Sequence, residues 1–541
     1  MTQGFKVIEG TEHAHPADHK DIGATDPGKS VSVTLILRRR AGKKPLEIED
    51  FARSAARRHE RITHDQFAGA YGAEPREIAA VQTWARSHGL EVVDTNPAAR
   101  SVVVRGTVGA VNEAFGVELH DYKTPRETYH SHDGPATLPP EIAEYVEATS
   151  GLDNRTVPAV HYTTANVTAS ASDPPNTAPL TPQQVAALYD FPTGTGSGQT
   201  VGIYEMATSG GPPGYSLSDI TATMKGYGLP APQPIDVAVD GVTNSGVSDG
   251  ETGLDITVAG AVAQGAKLAV YFTGGQTQNI IHALQRMIHP NTGDPEPTVI
   301  SISYGWGPDD ENAGSFSSQE YTQISALFQD AANLHITVLV SSGDSGAYIA
   351  SNTAAQVSYP ASDPWVTACG GTTVGNVNGA NFDEYAWNDQ GAGGPGASGG
   401  GVSGRFPVPV YQNGAGVPNQ IVTNQPGRGV PDLAGNASEN SGYVQYISGS
   451  PQPVGGTSAV APLYAGLMAI VNANLGAPAG FLNPTIYGLA GSGFRDITSP
   501  PGPANNSYGS VTGYPVKTGW DACTGWGSVK GTALQTALKN A

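Results

Sequence analysis

Apolar and polar residues alternate over residues 31–38 and a β-branched run fills 100–108, so both stretches predict strands. Helical spacing over 48–56 and 77–89, with a further start at 111–115, predicts helices, and residues 31–160 read as a small α/β unit. Over 163–179 the pattern lapses into Thr, Ala, Ser and Pro with almost no charge, the composition of an extended, protease-accessible linker. Beyond it, nearly continuous apolar strands (201–206, 267–272, 299–304, 336–342) alternate with helical stretches (251–264, 278–288, 318–332). Strands apolar on both faces belong to a parallel sheet covered by helices, with reactive groups at the strand C-terminal ends. Past Val366 the chain reads as glycine-rich and irregular until the apolar run after Ser458.

At 541 residues the chain is too long for one core, which predicts two domains. Its 70 glycines and 41 prolines, set between apolar runs, indicate tight turns rather than disorder. Residues 1–180 hold 19 of the 28 Lys and Arg and 24 of the 48 Asp and Glu, leaving 9 cations and 24 carboxylates beyond. Such a cation-poor surface disfavours nucleic acid and anionic membrane, and it sheds charge as pH falls toward the carboxylate range. Cys369 and Cys523 are the only cysteines, which excludes a disulfide scaffold or a Cys-based zinc site and leaves one bridge or two buried thiols. The longest apolar run, 459–471, contains Pro462 and is shorter than a membrane span, and residues 1–10 carry no apolar signal core.

The sharpest chemical signal is Gly455-Gly456-Thr457-Ser458, a serine on a glycine-rich turn at the mouth of a helix-forming run. Small residues before Ser458 admit a substrate backbone, and the following helix aims its N-terminal dipole at an oxyanion. A serine hydroxyl needs a base, yet ten of the 13 histidines lie at or before His161. His282, His289 and His335 remain, and their settings in a helix-like segment and at a strand start read as structural. A carboxylate is then the expected base. Glu251 and Asp255 stand four apart and share a helix face, where like charges raise a pair's apparent pKa. Alone, such a pair is common on solvated helices. Asp344, in Ser342-Gly343-Asp344-Ser345-Gly346, follows a strand end, where it either caps a turn or faces the site.

Together these pieces resemble the sedolisins, the serine-carboxyl peptidases, and in particular their kumamolisin-like branch. The match spans essentially the whole chain. It runs through Leu180-Thr181-Pro182-Gln183-Gln184-Val185, the Glu251/Asp255 helix, Ser301-Ile302-Ser303, Ser342-Gly343-Asp344, Gly399-Gly400-Gly401, Gly429-Val430-Pro431-Asp432 and Gly456-Thr457-Ser458. It implies a subtilisin-like α/β catalytic domain at 180–541, its parallel β-sheet flanked by helices. A small α/β, ferredoxin-like inhibitory prosegment at 1–165 and a processing linker at 166–179 would precede it. By resemblance Ser458 is the nucleophile, Glu251 its general base, Asp255 the acid behind Glu251, Asp344 the oxyanion donor and Glu205 an extension of the proton network. A carboxyl donates to an oxyanion only when protonated, which ties Asp344 to acidic pH or a raised pKa. Tyr304 stands where the branch tends to place tryptophan, with Trp306 nearby.

The resemblance further implies one structural Ca2+, held by Asp496 and Asp521 side chains and by carbonyls of Ile497, Lys517 and Gly519. Oxygen-only ligation suits calcium, and a carbonyl ligand tolerates Lys517 where the nearest pattern has glycine. It also implies a secreted, monomeric, acid-active endopeptidase made as a self-processing zymogen, with protein and peptide substrates and its own prosegment as inhibitor. Two other readings compete. A histidine-based subtilisin-like protease needs a histidine early in the sheet, and none is present; an inactive calcium-binding adhesion protein is opposed by competent residues at every catalytic position. The histidine-rich prosegment also predicts acid activation in which His120, His130, His132 and His161 gain charge near pH 6.5, before the carboxylates near 4 are neutralised.

Overall fold

The computed structural model describes residues 4–540 apart from 16–17, 43, 54–60, 158, 161–162, 165–176, 209, 310–315, 350–353, 391–395 and 500–501. In the N-terminal part, the alternating run forms β1 (Ser30–Leu37), followed by α1 (Ile48–Arg53), α2 (His64–Tyr71) and α3 (Pro75–Ser87). Beside a three-stranded sheet of Lys20–Ala24, His120–Lys123 and Thr128–Ser131, strands β2 (Glu91–Asn96) and β3 (Ser101–Thr107), helix α4 (Val108–Phe115) and β4 (Val146–Ser150) complete the main sheet. The sheet order is β2-β3-β1-β4, antiparallel throughout, which is the ferredoxin-like arrangement of a β-α-β-β-α-β chain. Pro75 opens α3, and Ile78, Val81, Trp84 and Ala85 form the buried stripe that packs on the sheet. Val33, Leu35, Val102 and Val104 meet them in a core of their own.

Two short strands, β5 (Ala159–Val160) and β6 (Thr163–Thr164), lead away from this unit. Then follow β7 (Thr200–Met206), β8 (Ile235–Ala238), helix α5 (Glu251–Val262), β9 (Lys267–Thr273), α6 (Thr277–Ile288) and β10 (Val299–Ile302). After β11 (Tyr304–Gly305) come α7 (Ser318–Asn333), β12 (Thr337–Ser341), β13 (Thr367–Asn378), β14 (Leu433–Asn436), β15 (Ser450–Gly455) and α8 (Val460–Leu475). The central sheet runs β8-β9-β7-β10-β12-β13-β14 with every one of these pairs parallel. Short strands at Ser528–Val529 and Phe494–Arg495 extend it.

Three expectations change. The run 299–304 is two strands, because Ser303 leaves the sheet between β10 and β11. The glycine-rich region beyond Val366 contributes β13 and β14 to the central sheet rather than loops. Its glycines serve close packing: a Cβ on Gly370 would meet Pro431 Cγ at 2.6 Å, and one on Gly371 would meet Trp387 Cε3 at 2.7 Å. The apolar run after Ser458 belongs to the one described helix long and apolar enough to cross a bilayer, Thr457–Leu475, with 83% of its apolar window buried in the protein. Both cysteines are buried thiols rather than a bridge.

The N-terminal unit docks on α6 and α7. Ser317 and Glu320 form a capping box that starts α7, and Glu320 also accepts from the Ser150 hydroxyl of β4 at 3.1 Å. Gln319 grips the β4 edge from both sides, accepting from Thr149 N at 3.1 Å and donating to Glu147 O at 2.7 Å. Arg39 reaches Asp330 at 2.6 Å, and His289 holds the other oxygen of Asp330 at 3.0 Å.

Candidate active site

Ser458 sits on a single 3-10 turn, Thr457–Ala459, entered through Gly456 at φ 95° and continued by α8. The positive φ requires glycine there. Ser458 is wholly buried and its hydroxyl donates to the Ser303 carbonyl at 3.2 Å. Ser303 is therefore the residue the broken strand delivers to the site. Its own hydroxyl lies 2.8 and 2.9 Å from the two oxygens of Asp255.

Gly250, at φ 92°, turns the chain so that Glu251 opens α5 with Asp255 one turn on, and both are buried. Both Glu251 oxygens lack a hydrogen-bond partner. Burial, then the charges of Asp255 and Glu205, push the Glu251 carboxyl well above its ordinary range, and the neighbouring Ser458 hydroxyl opposes that rise. Asp255 is also raised, chiefly by burial. It bonds to Ser303 rather than to Glu251.

Glu205 ends β7 and is fully buried. Its Oε2 accepts from Tyr304 Oη at 2.8 Å and lies 2.9 Å from Thr252 Oγ1, which is also 2.9 Å from Asp249 Oδ2. One threonine proton cannot serve two carboxylates, so one of these carboxyls carries a proton of its own. Burial, Asp255 and Asp249 raise Glu205. Sequence reasoning missed Asp249, Ser303 and Tyr304 as members of this cluster. Asp249 directly precedes Gly250, the N-cap of α5, and accepts from Thr252 N at 2.9 Å, whereas Ser303 required knowing where β10 ends.

Asp344 follows β12, and its Oδ1 accepts from Thr457 N at 2.8 Å and from Thr457 Oγ1 at 2.7 Å. Its Oδ2 is buried and unpartnered. Burial raises its pKa well above the usual range, with a smaller push from the nearby Glu439. The catalytic-domain histidines are engaged elsewhere: His282 with Asp240 at 2.8 Å and Thr34 at 2.7 Å, and His289 with Asp330. His335 caps the turn before β12 at φ 59°.

The N-terminal unit sends its tail across this cleft. Val157 N donates to Gly275 O at 2.9 Å, β5 pairs antiparallel with β11, and β6 pairs antiparallel with β15. The pairings put Val160 opposite Tyr304, next to Ser303, and Thr163 opposite Gly455, three residues before Ser458. The tail thus enters on one side of the serine and leaves on the other. His161 and most of the 166–179 linker lie outside the described residues.

The proposed calcium ligands occupy two adjoining loops. Gly519 N donates to Asp496 Oδ2 at 2.9 Å, and Lys517 N donates to Asp521 Oδ2 at 3.0 Å. Lys517 Nζ is drawn away to Gly416 O at 2.9 Å, and among the described residues no cationic side chain pairs with either aspartate. Ile497 is buried directly after Asp496. Two carboxylates without a countercharge fit a hard cation, and the backbone N–H groups of Lys517, Gly519, Cys523 and Thr524 hold them in place. No described cluster of three His, Cys, Asp or Glu exists, so backbone carbonyls must complete such a shell.

Residues 17–155 match the family described as Pro-kumamolisin, activation domain, and residues 239–481 match the Subtilase family. Kumamolisin of Bacillus sp. (strain MN-32) is 39% identical over 508 residues, covering 91% of this chain and 89% of that protein. The chain belongs to the sedolisin family of serine-carboxyl peptidases. Sedolisin of Pseudomonas sp. (strain 101) is 28% identical over 88% of this chain and 81% of its own length. The solved structure of Pseudomonas sedolisin, a serine-carboxyl proteinase complexed with two molecules of pseudo-iodotyrostatin, superposes with a TM-score of 0.55. It shares 28% identity and covers 67% of this chain and 99% of that one. As a sedolisin the protein is a serine peptidase, and its ferredoxin-like unit is an activation prosegment that holds the enzyme as a zymogen.

Proposed function

We propose that this sedolisin is an acid-active, secreted endopeptidase that cuts its own prosegment free. In this reading Glu251 takes the Ser458 proton as Oγ attacks the substrate carbonyl, and protonated Asp344 donates from Oδ2 to the oxyanion that forms. Glu251 then returns the proton to the departing amine; water repeats the cycle on the acyl-enzyme. Asp255, fixed by Ser303, and Glu205, fixed by Tyr304 and Thr252, keep protons in the cluster so that Glu251 meets no second full charge. Calcium, bound at Asp496, Ile497, Lys517, Gly519 and Asp521, would hold the C-terminal loops and take no part in the chemistry.

The observation that carries the reading is a buried serine surrounded by carboxyls, with every catalytic-domain histidine engaged elsewhere. A tail that passes the serine on both sides supports endopeptidase action over trimming from an end. The acidic, cation-poor surface and the need for a protonated Asp344 suit an acidic extracellular setting.

The test is Ser458→Ala in the full chain, assayed on a peptide library at acidic pH and on self-processing. Both activities are expected to vanish, Glu251→Gln to cost nearly as much, and the double variant to be no worse than the single. The first wild-type product should begin between Val160 and Thr163, upstream of most of the linker, because the flanking strands fix the register. An active Ser458→Ala protein sinks the assignment.

A further inference from the structure

Phe51 is a prosegment residue that does not belong to the prosegment core. It packs edge-on against Trp365 (5.8 Å between centroids, 84°) and Phe481 (5.7 Å, 82°), and only 4% of it is exposed. Its contacts make it part of the catalytic-domain core, which Leu46 and Ile48 also join. The chain just before it is held by its backbone. Leu46 N donates to Asn333 Oδ1 at 2.9 Å, and Leu46 O accepts from Asn333 Nδ2 and Gln329 Nε2, each at 3.2 Å. An asparagine that satisfies both backbone groups of one residue imitates a neighbouring strand, a peptide-recognition device.

This contact lies across the sheet from the serine. Ser303 and Asp344 follow the C-terminal ends of β10 and β12, whereas Asn333 ends α7 just before β12 begins, and Trp365 precedes the start of β13. Phe481 sits at the same edge, where Gly480 O accepts from Thr337 Oγ1 at 2.7 Å.

We propose that Gln329, Asn333, Trp365 and Phe481 form a second binding groove on the catalytic domain, separate from the cleft, whose ligand is the prosegment segment 45–53. Prosegment retention is then bipartite. The tail fills the cleft, and the Leu46–Phe51 anchor grips the opposite edge and keeps hold after the tail is cut. The inference deepens the zymogen reading by naming the contact that outlasts cleavage.

A site for an unrelated protease placed within 165–176 of the full chain allows cutting whether or not the chain cuts itself, so failure of self-processing leaves this test intact. Release of the prosegment from the cut two-chain form is followed by gel filtration after dilution. Phe51→Ala and Trp365→Ala should each speed release by at least about 10-fold, and the double variant by little more than either, since both delete one contact. Asn333→Ala, which leaves the aromatic contacts in place, should also speed release. Phe51 lies outside the prosegment core, so circular dichroism of the variant should match wild type. Equal release by wild type and Phe51→Ala overturns the proposal, as does full additivity of Phe51→Ala with Trp365→Ala.

Discussion

Thr457 holds one oxygen of Asp344 with both its N–H and its hydroxyl, at 2.8 and 2.7 Å, and leaves the other oxygen buried without a partner. The pinned oxygen has its acceptor capacity used, so a proton on this carboxyl sits on Oδ2, the oxygen free to donate. Asp344→Ala should lower kcat by about 10²–10³-fold with a smaller change in KM, the usual cost of one oxyanion donor. Asp344→Asn keeps a donor that does not titrate. Its residual kcat should fall less steeply toward neutral pH than that of wild type. A pH profile as steep as wild type would remove Asp344 from the oxyanion site.

Glu205, Glu251, Asp255 and Asp344 all have carboxyls raised by burial. Each binds its proton more tightly folded than unfolded. The stability this contributes is fully present below the unfolded carboxyl pKa near 4, and it is lost as pH rises through the folded values. The catalytic domain should therefore melt higher at pH 4 than at pH 7. Glu205→Gln, which cannot ionise, should shrink that difference in calorimetry, and an unchanged difference would show that Glu205 is not held protonated.

The sequence pattern made the α/β alternation and the serine motif legible because both are local. Alternation in residues 31–38 and unbroken apolar strands at 201–206 and 267–272 report burial directly. The pattern hid β13 and β14, whose glycines are packing choices forced by Pro431 and Trp387 from distant parts of the chain. Ser303 was hidden for a related reason. Nothing in Ser301-Ile302-Ser303-Tyr304 marks where the strand ends, since that is set by the tail and the serine loop that meet it.

Calcium should stabilise the fold through Asp496 and Asp521, which stand in adjoining loops with no cationic partner among the described residues. A ligand that binds only the folded state adds about 2.7 kcal/mol at 100 times its Kd. Chelation should lower Tm by several degrees and slow no chemical step directly, and Asp521→Ala should abolish the response to chelator. A Tm indifferent to chelator would show that these loops hold no metal.

Acid should loosen the prosegment through His132 rather than by charging its surface. His120 is partly exposed beside Asp21, whose hydrogen bond raises its pKa, so it is charged early and cannot act as a late trigger. His132 is buried, with Nδ1 donating to Gly134 O at 2.9 Å and Nε2 bare. Burial, and then the neighbouring His13, lower its pKa from 6.5 to about 4, against the pull of Asp153. A histidine buried neutral contributes stability that is present above the unfolded pKa and lost as pH falls from 6.5 through 4. The loss is of order 3 kcal/mol by pH 4. His130, also buried with a bare Nδ1, shifts in the same direction. The catalytic carboxyls gain over the same range, so falling pH weakens the inhibitor while it strengthens the enzyme. His132→Asn keeps a donor for Gly134 O and cannot be charged. It should move the midpoint of tail cleavage to lower pH, with prosegment hydrogen exchange moving in parallel. A midpoint that stays put would leave acid activation to interface carboxylates such as Asp330, which Arg39 and His289 hold.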